Sequence, residues 1–128
     1  MGRIYDTIIS NNKLLHSLFD TGAVHNYVTN RTAEGLVIGS IPESFEVGLG
    51  GKTKTISKAC LVTGRLQDKS FYFSANIVED IGKDEREQEI DVIVGAVEMQ
   101  RWNIKIDPKE EKLDLSSFRK EFIEYKVL

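Results

Sequence analysis

Leu18-Phe19-Asp20-Thr21-Gly22-Ala23 decides the reading of this chain: two apolar residues run straight into an acid, a hydroxyl, a glycine and an alanine. Apolar surroundings disfavour a charged carboxylate, so an Asp delivered there needs a partner, a hydrogen-bond network or a chemical task. No second copy of the tripeptide offers itself. Asp6-Thr7 is followed by Ile8, Asp80 by Ile81, Asp91 by Val92 and Asp107 by Pro108. Asp, Thr and Gly are also ordinary turn formers, and a three-residue match alone is weak. What a turn does not explain is a second element about seventy residues downstream, Ile93-Val94-Gly95-Ala96, where an apolar pair again runs into a glycine.

Outward from this stretch the patterning is that of a mostly β protein. Ile4 to Ile9 and Leu14 to Phe19 read as strands around the turn Ser10-Asn11-Asn12-Lys13. A short strand at Tyr27-Val28 follows the Asp20 loop, then a helical turn from Arg31 to Glu34, capped by Asn30 and ended by Gly35. Phe45 to Leu49 and Lys52 to Ile56 flank the glycine cluster Gly48-Leu49-Gly50-Gly51, a hairpin with a flexible tip. Ala59 to Leu66 and Ser70 to Ile77 form a further pair, and the charged run from Glu79 to Glu89 is a solvated excursion. Ile90 to Val94 is a short strand and Ala96 to Trp102 a helix. Ile104 to Ile106 and Lys112 to Leu115 make a hairpin, and a tail over 116–128 has helical spacing of Phe118, Phe122 and Tyr125 from Ser116 or Ser117.

With 128 residues, 41% hydrophobic and 29% charged, the chain has one modest core to build. A net charge of -3 gives no electrostatic footprint for nucleic acid or an anionic membrane. Cys60 has no second cysteine to pair with, and two histidines with one cysteine argue against a structural zinc site. Neither an apolar leader nor a span of about 18 apolar residues is present, so the expectation is a cytoplasmic protein.

Three motifs in order carry a family resemblance. The Asp20 loop resembles the catalytic loop of retropepsin-type aspartic proteases. Val47-Gly48-Leu49-Gly50-Gly51-Lys52 resembles their flap, and Ile93-Val94-Gly95 with the helix from Ala96 to Trp102 resembles their second apolar-glycine motif. The resemblance implies an all-β, closed acid-protease barrel with one short helix, formed by residues 1–115 and acting as a homodimer. It implies a peptide or protein substrate, and no metal, cofactor, nucleic acid or membrane. Asp20, Thr21 and Gly22 would be catalytic, with Thr21 hydrogen-bonding across a two-fold axis. Ala23, the flap residues Gly48, Leu49, Gly50 and Gly51, and Ile93 would bind substrate.

With a single Asp-Thr-Gly per chain, a carboxylate pair requires the Asp20 of a second subunit, which isologous symmetry supplies. Retroviral members often follow the Ala with an acid and the second Gly with an Arg that pairs with it. Here those positions are Val24 and Ala96, so both halves of the ion pair are absent together, as suits a cellular, prokaryotic or retrotransposon-like branch. The expected function is an aspartic endopeptidase; the alternative is a dimer of the same fold that binds peptides without cleaving them. His25 reads as a polar rim residue, His16 as a cross-strand neighbour, Cys60 as a small buried hydrophobe and Trp102 as a helix anchor.

Overall fold

The computed structural model describes residues 2–119. Strands β1 (Arg3–Ser10) and β2 (Lys13–Asp20) pair through a two-residue turn in which Asn11 and Asn12 have φ of 51° and 63°. Both turn positions need the left-handed region, which asparagine tolerates better than most residues. β3 (Tyr27–Thr29) leads into α1 (Asn30–Ala33), and the long hairpin β4 (Val37–Leu49) and β5 (Lys52–Leu66) comes next. β6 (Lys69–Val78), β7 (Val92–Val94), α2 (Ala96–Trp102) and the hairpin β8 (Lys105–Asp107) and β9 (Lys112–Asp114) complete the described chain.

The main sheet has the order β1-β2-β7-β3-β6-β5-β4, with a further pairing of β1 to β5 at Ile8 to Leu66 and Ile9 to Arg65. β7 lies parallel to β2 and antiparallel to β3, so the two apolar-glycine segments sit side by side. Alternation then sorts their side chains between two faces. Phe19, Val28, Val92 and Val94 enter the larger core with Phe71, Phe73 and Trp102, while Leu18, Tyr27 and Ile93 join a smaller cluster with Ile56, Val78 and Ile90. Trp102 anchors α2 as expected, meeting Phe71 edge-on at 5.2 Å and stacking on Phe118 at 5.3 Å.

Several local expectations are corrected. The segments from Lys52 to Ile56 and from Ala59 to Leu66 are one continuous strand, because Ser57 and Lys58 are polar without breaking the backbone. Its partner β4 starts at Val37, and the irregularity falls there, between Ser40 and Phe45 around Pro42. Pro42 has no N–H for the ladder. The cap of α1 is Thr29 in place of Asn30: its hydroxyl accepts from the Thr32 N–H at 3.2 Å. Among the described residues the helical segments are the single turn α1 and the short helix α2, at the two places read from the sequence. The helix from Ser116 does not form over 116–119, which is a turn with Arg119 at a φ of 54°; Phe122 and Tyr125 lie outside the described residues.

Candidate functional site

Asp20 ends β2, an interior strand paired with β1 and β7, and its side chain is 23% exposed. The loop folds back on the carboxylate: the Gly22 N–H donates to Asp20 Oδ1 at 2.8 Å, and the Ala23 N–H to the Asp20 carbonyl at 3.1 Å. Arg3, across the β1–β2 ladder, brings its Nε within 3.8 Å of Asp20 Oδ2. The Thr21 N–H donates to the Gly2 carbonyl at 2.8 Å, and the hydroxyl faces the same oxygen at 3.4 Å.

Behind the loop, α2 is docked onto its carbonyls. The Ala96 N–H donates to the Ala23 carbonyl at 2.7 Å and the Val97 N–H to that of Val24 at 3.4 Å. These are first-turn N–H groups that a helix cannot satisfy internally. Gly95 makes the contact possible through its missing side chain: a Cβ there would stand 2.5 Å from the His25 carbonyl oxygen, 2.7 Å from that of Val24 and 2.8 Å from that of Ala23.

A buried polar network that the sequence reading missed locks this junction. Asn26 Oδ1 accepts from the Gly95 N–H at 2.9 Å, and Asn26 Nδ2 donates to the Ser74 carbonyl and to Glu98 Oε1, both at 3.0 Å. Glu98 is only 7% exposed, and its other oxygen accepts from Trp102 Nε1 at 2.7 Å. Glu98 and Trp102 stand four residues apart on one helix, and that spacing was the available signal.

In front of the loop lies a cleft of about 780 Å³, within the range typical of ligand sites. Its walls include Asp20, Gly22 and Ala23 from the loop, Gly48, Leu49 and Gly50 from the flap-like hairpin tip, and Ile93 from β7. The register explains the floor: Ile93 pairs with Leu18 on one side and Tyr27 on the other, and all three side chains face the cleft. The hairpin turns at Gly50 and Gly51, whose φ values of 58° and 80° suit glycine. Thr21 and Gly51, named from the sequence with the others, do not line the cleft. Arg3, His25, Ile81, Lys83 and Ile90 line it and were not among the residues named from the sequence as substrate-binding. His25 is exposed on the rim.

The segment 79–89 is more anchored than a solvated excursion. Asp84 accepts from the Gln88 and Arg86 N–H groups at 3.0 and 2.8 Å and meets His16 Nε2 at 2.8 Å. The Gln88 contact above all, then the His16 and Arg86 contacts, holds the Asp84 carboxyl below its usual pKa against the opposing effect of desolvation. The His16 ring also stacks on Tyr5 with centroids 4.8 Å apart. Among the described residues no group of three or more His, Cys, Asp or Glu is placed to hold a metal ion. No helix among them is long and apolar enough to cross a membrane.

No protein-family model and no curated protein matches this chain. Solved structures do. The retroviral protease-like domain of Ddi1 from Leishmania major superposes with a TM-score of 0.66 at 22% identity, over 92% of this chain and 91% of that one. The EIAV protease in complex with the inhibitor HBY-793 superposes with a TM-score of 0.55 at 16% identity, over 82% of this chain and 92% of that one. The chain has a retropepsin-like fold.

Proposed function

We propose that two copies of this retropepsin-like chain form an aspartic endopeptidase, its sheet closed into a barrel in each subunit and its active site made of the two Asp20 carboxylates. One observation carries the reading: a single cleft is bounded on one side by the Asp20 loop and on the other by the glycine tip of a long hairpin. An extended peptide laid along the Leu18, Tyr27 and Ile93 floor would pass between them. The tip would close over it, adding strand-like hydrogen bonds and excluding water.

Peptide hydrolysis by a carboxylate pair needs one acid ionised, to take a proton from the attacking water, and one protonated, to polarise the carbonyl. Two carboxylates brought together share a proton because both cannot ionise cheaply, and the resulting pKa values belong to the pair. The activity is therefore expected at acidic to mildly acidic pH. The Gly22 N–H on Asp20 Oδ1 orients the carboxylate, and the α2 contacts to the Ala23 and Val24 carbonyls hold the loop in place. A water between the two acids attacks the scissile carbonyl, the ionised acid takes its proton, and the amine leaves after protonation by the pair.

The test is cleavage of a peptide library at pH 4 to 6, read by mass spectrometry, with sedimentation to establish the dimer. Asp20→Asn should lower cleavage by about a hundred- to ten-thousand-fold while the dimer persists. Full activity in that variant sinks the mechanism. A second reading, a dimer that binds peptides without cleaving them, draws on the position of Arg3, whose guanidinium already stands 3.8 Å from the carboxylate. The fold is compatible with both readings, and the same library separates them.

A further inference from the structure

A further stretch of the cleft wall comes from the segment 79–89, through Ile81, Gly82 and Lys83. That segment is held in place from several sides. Asp80 pairs with Lys54 of β5 at 3.3 Å, and Asp84 is bound by His16 and its own backbone. Glu89 pairs with Arg31, the Ile90 N–H donates to the Gly82 carbonyl at 2.9 Å, and Lys83 and Glu89 form a β-bridge. These contacts fix the backbone of Lys83 and engage three acids of the segment, Asp80, Asp84 and Glu89.

Lys83 itself is exposed and makes no ion pair among the described residues. The groove on its other side carries Glu79, Asp80 and Glu89, of which Asp80 and Glu89 are already paired. Among the described residues the only carboxylate lining the cleft is Asp20, and Arg3 stands beside it. The cleft thus presents the side chain of Lys83, on an anchored backbone and outside any ion pair among the described residues, at the edge of an apolar floor made by Leu18, Tyr27, Ile90 and Ile93.

We propose that Lys83 is a specificity-determining residue that selects peptides carrying an Asp or Glu beside the apolar side chains that fill this floor. The inference rests on the reading of the cleft as a peptide site. An acidic side chain at that position gains a charge-assisted contact, and a basic one meets like charge, so selection works by attraction and repulsion together. Because the segment is already ordered, little further ordering accompanies the contact. For a pair at a solvent-exposed rim the expected discrimination is about 2- to 5-fold, decreasing with salt.

The experiment measures fluorescence anisotropy of labelled peptides on the Asp20→Asn protein, so that binding is read without cleavage. Each peptide pair shares an apolar centre and differs only by Glu or Gln at one flanking position. At one position Glu should bind about 2- to 5-fold tighter than Gln in low salt, with the ratio near one in 0.5 M NaCl. Adding Lys83→Gln should bring the ratio to one, and adding Lys83→Glu should invert it. A ratio insensitive to Lys83, no position with a preference, or no binding of either peptide overturns the proposal. Parallel digestion by the unsubstituted protein separates the two ideas. Charge-selective binding without cleavage leaves Lys83 standing and removes the protease, whereas cleavage indifferent to the flanking charge does the reverse.

Discussion

Gly95→Ala tests the junction on which the whole site depends. The substitution adds one methyl group against three backbone carbonyl oxygens, at 2.5, 2.7 and 2.8 Å, none of which can rotate away as a side-chain end would. Moving the nearest of them out to 3.0 Å requires a shift of at least 0.5 Å, the difference between 3.0 and 2.5 Å. That shift separates α2 from the Asp20 loop and stretches two hydrogen bonds, Ala96 N–H to the Ala23 carbonyl and Gly95 N–H to Asn26 Oδ1. Overpacking costs about 1–3 kcal/mol and each weakened hydrogen bond up to about 1 kcal/mol, for a loss of about 1–5 kcal/mol. Domains of this kind are stable by only about 5–15 kcal/mol, so the effect is large. Urea unfolding followed by Trp102 fluorescence should show the midpoint falling by about 1–2 M with little change in slope. Gly39→Ala is the control: a Cβ there meets nothing within 4 Å, and its φ is not in the left-handed region. Its midpoint should hold or rise slightly, since alanine costs less chain entropy than glycine in a strand. Equal midpoints for the two variants would refute the account of Gly95 as a close-approach residue.

Other outcomes follow from the same contacts. Glu98→Ala removes the acceptor of one Asn26 amide N–H and of the Trp102 indole N–H in a buried setting; it should cost about 2–4 kcal/mol, a Tm loss of about 10 °C by calorimetry. Asp84 has a depressed pKa in the folded state, so its contribution to stability is present above its unfolded value near 3.8 and is lost as pH falls through the folded value. Asp84→Asn should therefore flatten the acid side of the stability profile between neutral pH and pH 3, measured by urea titration at each pH. Burial pushes the Cys60 thiol up to about 11, so iodoacetamide at pH 8 should leave it unmodified in the folded protein and alkylate it in urea, as read by intact mass.

Local patterns were legible wherever the chemistry was local. The Asn11-Asn12 hairpin, the helix over Ala96–Trp102 and the hairpin around 108–111 follow from turn residues and periodicity over a few positions. β4 before Phe45 was not legible, because its exposed, Gly- and Pro-bearing run lacks the alternation that marks a half-buried strand. The same holds for the role of the segment 79–89. Its charges read as solvated, yet His16, Lys54 and Arg31, 26 to 68 residues away in sequence, pin it against the cleft. Asn26 looked like one more loop residue until the fold set Gly95, Ser74 and Glu98 around it.

The sequence by itself determined the candidate group and its local setting: one Asp on an apolar strand end, followed two residues on by glycine, with a second apolar-glycine element far downstream. Those are covalent facts and short-range preferences, and they survive any arrangement of the rest. Only the tertiary structure decided what surrounds that group. The parallel pairing of β7 with β2 sets Ile93 beside Leu18, the reach of the hairpin brings Leu49 and Gly50 to the same cleft, and Arg3 and Lys83 arrive as its cations. The physical reason is register. Side chains alternate every residue along a strand, so which face each one takes depends on pairings between segments that the chain brings together only when it folds.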